Sequence, residues 1–192
     1  FMVTNYKIVY TTPVIEFLAV AKEYCQFLAG VQQFTSEQFI DKLQKFIPLL
    51  YLKGAMLPSL DDSEIDGECE DFVTEDEYNT LFLTVKSKIG EYDDYLEIID
   101  NDGYHDEPVV QSISEKIADI YQDMKNFVES YRSGVESVMF ESLWKLNNDF
   151  ELFWGKNCAE LLRVIHSTKF KISLSEDCED ELSELSEALK GV

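Results

Sequence analysis

Three carboxylates four residues apart, Glu115, Asp119 and Asp123, are the groups in this chain best spaced to do chemistry together. On a helix that spacing brings them onto one face. A carboxylate-only set suits a hard cation such as magnesium or manganese, although an acidic ladder is more commonly a solvated helix face. Four further residues join them as candidates: Tyr121, Trp154, Arg163 and His166. Arg163 follows Glu160 by three, so it either pairs with that neighbour or anchors Asp119, Asp123 or a ligand carboxylate. His166 continues the line Gly155, Ala159, Leu162, where small residues permit close helix approach. It fits either an end-of-helix histidine favoured by the dipole or a catalytic base. Asp119, Tyr121, Asp123, Trp154, Arg163 and His166 thus make up a candidate pocket between helices four and five, with no catalytic residue, metal or cofactor assigned to it.

Familiar catalytic and metal motifs are missing. The eight glycines are too scattered for a phosphate-cradling loop. His105 and His166 are the only histidines, which excludes HExxH and multi-histidine metal sites. A di-iron bundle needs Glu-x-x-His on two helices, but Glu160 is followed three later by Arg163 and Glu115 by Ala118. An EF-hand loop begun at Asp62 puts Gly67 correctly at its sixth position and Val73 where a bidentate glutamate belongs. Cys25, Cys69, Cys158 and Cys178 form no CxxC pair and read as free thiols in a reducing cytoplasm.

The charge is extreme. Thirty-eight acidic residues against sixteen Lys and Arg leave a net charge of −22 over 192 residues. Such a surface repels phosphates, so direct binding to nucleic acid or to an acidic membrane is disfavoured. It favours solubility, a basic protein partner, or mimicry of a nucleic acid. Val14 to Leu28 is apolar, but Glu16, Lys22 and Glu23 interrupt it, so it is too short and too charged to span a bilayer. The N-terminus shows no cleavable signal pattern.

The elements that must position these groups read as helices. Helix one is expected over about Pro13 to Ala29, with Thr12 as a plausible N-cap and Gly30 as its stop. Helix two opens with a capping box, Thr35 with Gln38, and a staple of Phe34 with Phe39. Pro48 should kink or break it, leaving Leu49 to Met56 as a second apolar piece. Leu57 to Val73 is an acidic loop. Helix three starts on Thr74 with Glu77 and ends at Gly90; after it, Tyr92, Tyr95, Leu96 and Ile99 could form a short helix. Helix four, about Pro108 to Ser133, carries the clearest pattern: Ile113, Ile117, Ile120, Met124, Phe127 and Tyr131 line one narrow seam. Helix five follows Gly134 as the second arm of an antiparallel hairpin and reaches about His166. Its seam of Met139, Leu143, Leu146, Phe150 and Phe153 shifts near Gly155 to Trp154, Cys158, Leu161 and Ile165. KFKISL after Thr168 could be extended, before an acidic C-terminal helix.

Several short motifs agree in order: VIEFLAVAKEYCQFL, FVTEDEY, IGEYDDY, ISEKIADIYQDMKNFV, NNDFELFWG and LLRVIH. Together they resemble an uncharacterised bacterial family, a domain of unknown function found chiefly in gut-type anaerobes. The resemblance implies a small, intracellular, mostly helical bacterial protein, and it implies no activity, substrate or catalytic residue.

The expected fold is all-α: a bundle of about five main helices, mostly antiparallel, spanning 2–168, with an acidic extension over 169–192. The preferred function is a non-enzymatic, cytoplasmic interaction module for a basic protein partner, with no direct nucleic acid and no membrane. The alternatives are a nucleic-acid-mimicking inhibitor, and a ligand binder or enzyme using the pocket between helices four and five. The oligomeric state is left open.

Overall fold

A computed structural model describes residues 6–60, 69–98 and 108–190, with side chains described through residue 172. The bundle consists of α1 (Thr12–Ala29), α2 (Ser36–Ala55), α3 (Glu75–Ile89), α4 (Ile113–Arg132), α5 (Glu136–Asp149) and α6 (Gly155–Lys190). One small antiparallel ribbon, β1 (Asp94–Ile98) with β2 (Pro108–Ser112), sits between α3 and α4. No helix among the described residues is long and apolar enough to cross a membrane.

Helix α4 is the hub, touching α1, α3, α5 and α6. Its predicted seam is real: Ile113, Ile117, Ile120, Met124 and Phe127 are all buried. Tyr131, at the end of the stripe, is half-buried and donates its hydroxyl to the Val9 carbonyl at 3.2 Å. The starts of α2 and α3 also follow the expected chemistry, whereas α1 begins at Thr12 itself, with Thr11 as an N-cap that makes no side-chain cap hydrogen bond. Thr35 and Gln38 close a reciprocal capping box on α2. Thr74 accepts from the Glu77 amide on α3, but the Glu77 carboxylate is drawn away to Tyr121.

Four expectations are corrected. Helix α2 runs unbroken through Pro48. Phe39, Leu43, Ile47 and Leu50 form one continuous buried stripe, and that packing outweighs the lost main-chain bond, a local cost of about 3 kcal/mol. The short helix expected near Tyr92 to Ile99 is strand β1, because Gly90 leaves α3 at φ +65° and the side chains then alternate in and out. Helix α4 starts at Ile113 instead of Pro108; the β-branched Val109 and Val110 stay in β2 and Ser112 serves as the N-cap. KFKISL is helical. Leu161, Ile165, Thr168 and Ile172 lie on one buried face at helical spacing, so α6 continues through the boundary expected at 168/169. The core of the acidic loop, 61–68, lies outside the described residues.

The seam shift near Gly155 has a physical cause. Phe150–Trp154 is a turn of π-helix between α5 and α6, and the wider turn rotates the apolar face. It drives Trp154 fully into the core, where its indole N–H donates to the Leu146 carbonyl at 2.9 Å, and turns Phe153, expected in the seam, out to solvent. Only glycine fits beneath that ring: a Cβ on Gly54 would stand 2.3 Å from Trp154 Cη2. Gly54→Ala is therefore expected to destabilise the fold by about 1–3 kcal/mol. Gly30→Ala, whose Cβ would meet only ordinary contacts at 3.6 Å and beyond, is the control. Urea denaturation of both variants would check the contrast.

Candidate functional site

The six candidate residues face four different neighbours. Asp119 and Tyr121 point to α3. The Tyr78 hydroxyl donates to Asp119 Oδ1 at 2.7 Å, and the Tyr121 hydroxyl donates to Glu77 Oε1 at 2.7 Å. These two phenol–carboxylate bonds run in opposite senses across the α3–α4 interface. Burial first, then the bonded carboxylate, pushes both phenols up, so they remain donors at any physiological pH. Asp123 faces α5 and the segment before α3. Trp154 is in the core. Arg163 is exposed and meets Glu97 of β1 at 3.7 Å. His166 is exposed on α6, with Nδ1 3.3 Å from Gln44 Nε2 of α2 and its ring edge-on to Phe170. Among the described residues the six do not converge on one pocket; Asp123 alone of them lines the small cavity between α4 and α5.

What α4 does share with α6 and β1 is an ion cluster that spacing alone did not single out. Lys116, only 8 % exposed, contacts Glu160 Oε2 directly, Asn157 Oδ1 at 3.2 Å and Glu97 Oε2 at 3.8 Å. Glu160 therefore pairs with Lys116, and Arg163 takes the other oxygen of Glu97. The signal available in sequence was a lone lysine on the margin of an isoleucine seam. Beside the cluster the Tyr95 hydroxyl is buried and meets no well-aligned hydrogen-bond partner among the described residues, and burial, with Glu97 and Glu160 nearby, pushes it up.

A second cluster caps α4. Asp93 is 1 % exposed. One of its oxygens accepts from the Ser114 amide at 2.8 Å; the other accepts from the Ser112 and Ser114 hydroxyls at 2.8 and 2.9 Å. Lys86 of α3 stands 3.6 Å away. A carboxylate at a helix N-terminus is favoured by both the dipole and the open N–H groups. The function of Asp93 is to join the end of α3 to the start of α4.

Asp123 is the partly buried acid of α4 whose carboxylate is left unpaired among the described residues. It makes no hydrogen bond to any described residue, and its carboxyl is pushed up to about 7. Burial is the main cause; Asp149, Asp119 and Asp71 add repulsion, and Lys145 opposes it. Between about pH 4, the unfolded value, and pH 7 the folded chain keeps a proton that the unfolded chain has released. This group's contribution to stability therefore falls as pH rises through that window. Asp123→Asn is expected to stabilise the fold by about 2 kcal/mol at pH 8, with the gain shrinking toward pH 5. Denaturation midpoints at the two pH values would check it; an equal gain at both would contradict the assignment.

An open groove of about 410 Å³ runs between the C-terminal end of α1 and α3. Leu28, Val31 and Leu81 line its apolar part, Asp76 and Glu77 supply carboxylates, and no Lys or Arg borders it. Asp123 lines a separate, small cavity between α4 and α5 beside Asp71, Asp149 and Lys145, while Tyr121 reaches this groove. The thiols offer no chemistry beside it: burial pushes both Cys25 and Cys158 up to about 12.

Fold and surface together define a helical-bundle domain with a β-ribbon appendage. No group of three or more His, Cys, Asp or Glu side chains among the described residues could hold a metal ion. The chain belongs to the DUF5063 family, a domain of unknown function, whose family model matches residues 8–171. The crystal structure of protein BF1032 from Bacteroides fragilis is similar at 36% identity, covering 84% of this chain and 95% of that one, with a TM-score of 0.74. No curated protein matches the chain. Neither the family description nor the similar structure carries an assigned activity.

Proposed function

We propose that this chain is a non-enzymatic interaction domain whose acidic surface binds a positively charged partner protein. The carrying observation is the excess of 38 acidic over 16 basic residues, a net charge of −22. The groove between α1 and α3 supports the reading locally, because apolar residues there are bordered by Asp76 and Glu77 and by no cation. That combination suits a lysine or arginine side chain, whose stem is apolar and whose head is charged. The dispersal of Asp119, Tyr121, Asp123, Trp154, Arg163 and His166 removes the support for a ligand pocket between helices four and five. Mimicry of a nucleic acid is less favoured, because Asp119, Glu97 and Glu160 are committed to internal partners and not set in a row of free charges. The free thiols of Cys25, Cys69 and Cys158 support a reducing, cytoplasmic setting.

Attraction of this kind is long-ranged and screened by salt over about 10 Å at about 0.1 M. Pull-down from native lysate is expected to recover a basic protein at about 0.05 M salt and to lose it at about 0.5 M. Recovery of no salt-sensitive partner would overturn the proposal.

A further inference from the structure

The β-ribbon wears its pattern inside out. On β1, Tyr95 and Glu97 turn toward the bundle, while Leu96 and Ile98 are 65% and 66% exposed. Across the ribbon, Val110 stands opposite Leu96 and is 63% exposed, and the exposed Pro108 stands opposite Ile98. Isolated two-stranded ribbons are marginal in water, and a contiguous apolar face on one marks a surface that has a use.

The backbone has the same polarity. The Ile113 N–H donates to the Asp93 carbonyl at 2.9 Å, which sets the phase of the ladder. Tyr95 with Gln111 and Glu97 with Val109 are then the hydrogen-bonded pairs. Asp94, Leu96 and Ile98 direct their N–H and C=O groups outward, and among the described residues none of them has a main-chain partner there. The opposite edge is poorer, since Pro108 has no N–H and Ser112 is engaged as the cap of α4. The outer edge of β1 thus presents three consecutive donor–acceptor positions beside an apolar face.

We propose that the outer edge of β1 is a docking site for an extended, basic segment of a partner protein, added as a third strand. This rests on the reading of the chain as a binder of basic partners and names how such a partner would be held. Main-chain bonds to Asp94, Leu96 and Ile98 supply the attachment, and apolar side chains at alternate positions extend the face of Leu96, Ile98 and Val110. Charge selects the occupant. Asp94 is exposed at the head of the edge and met only loosely, by Lys86 at 3.9 Å, and the whole chain carries −22. A segment flanked by Lys or Arg is drawn to that field, whereas a second copy of this chain would set two charges of the same sign against each other.

The test uses the full chain and three synthetic probes: a peptide of alternating Val and Thr flanked by lysines, its analogue N-methylated on alternate amides, and a glutamate-flanked version. The lysine-flanked probe is expected to bind by fluorescence anisotropy and to slow amide exchange at Leu96 and Ile98. N-methylation, glutamate flanks, or the double variant Leu96→Asn with Ile98→Asn should each weaken binding at least about tenfold. Both variant positions are solvent-facing, and unchanged urea denaturation would establish that the fold is intact. Equal binding of the N-methylated probe would overturn strand addition while leaving the acidic-surface reading standing. No binding of the lysine-flanked probe, or equal binding of the glutamate-flanked one, would also overturn the docking site. So would sedimentation that shows self-association abolished by the double variant. The salt-sensitive pull-down tests the broader reading separately.

Discussion

Helix α4 is buried at eleven of its twenty residues, and a helix enclosed to that degree must find internal partners for the polar side chains it carries. Its contacts follow from that demand. Asp93 satisfies its first turn, Lys116 ties it to α6 and β1, Asp119 and Tyr121 tie it to α3, and Tyr131 reaches the Val9 carbonyl. Asn126 is the most economical of these. Its side-chain oxygen accepts from the amides of Phe72 and Val73, and its amide donates to Asp71. One side chain thereby pins the segment that leads into α3.

The same demand gives the three acids of the ladder different surroundings. Glu115, Asp119 and Asp123 do fall on neighbouring turns, as their spacing requires. Their environments then diverge: Glu115 is exposed, Asp119 is bound to a phenol, and Asp123 is enclosed among other carboxylates. Under the proposed function, the protein's excess of negative charge is what attracts the basic partner.

Against this closely satisfied interior the ribbon is the element left over. Its inner residues serve the bundle through Glu97, while its outer residues and one backbone edge serve nothing within the described chain. Loop-borne elements placed on a rigid scaffold commonly carry recognition. Here the ribbon is anchored to a helix, α4, that is bonded at both ends.

The seam of α4, the capping box at Thr35 and Gln38, the hairpin turn near Gly134 and the family membership were all readable from local pattern, because each depends on residues within a few turns of one another. Even the π-turn left a trace, as the displaced seam near Gly155. Pro48 and the segments 94–98 and 108–112 were misread for the opposite reason: packing against α6 overrode a local breaker, and cross-strand pairing overrode a weak helical pattern. The candidate site depended most heavily on the fold. Sequence periodicity determined which face of a helix Asp119, Tyr121, Asp123 and Arg163 would occupy. Only the tertiary structure decided what stood opposite each of them, because the energy of a buried charge depends on partners far away in the chain.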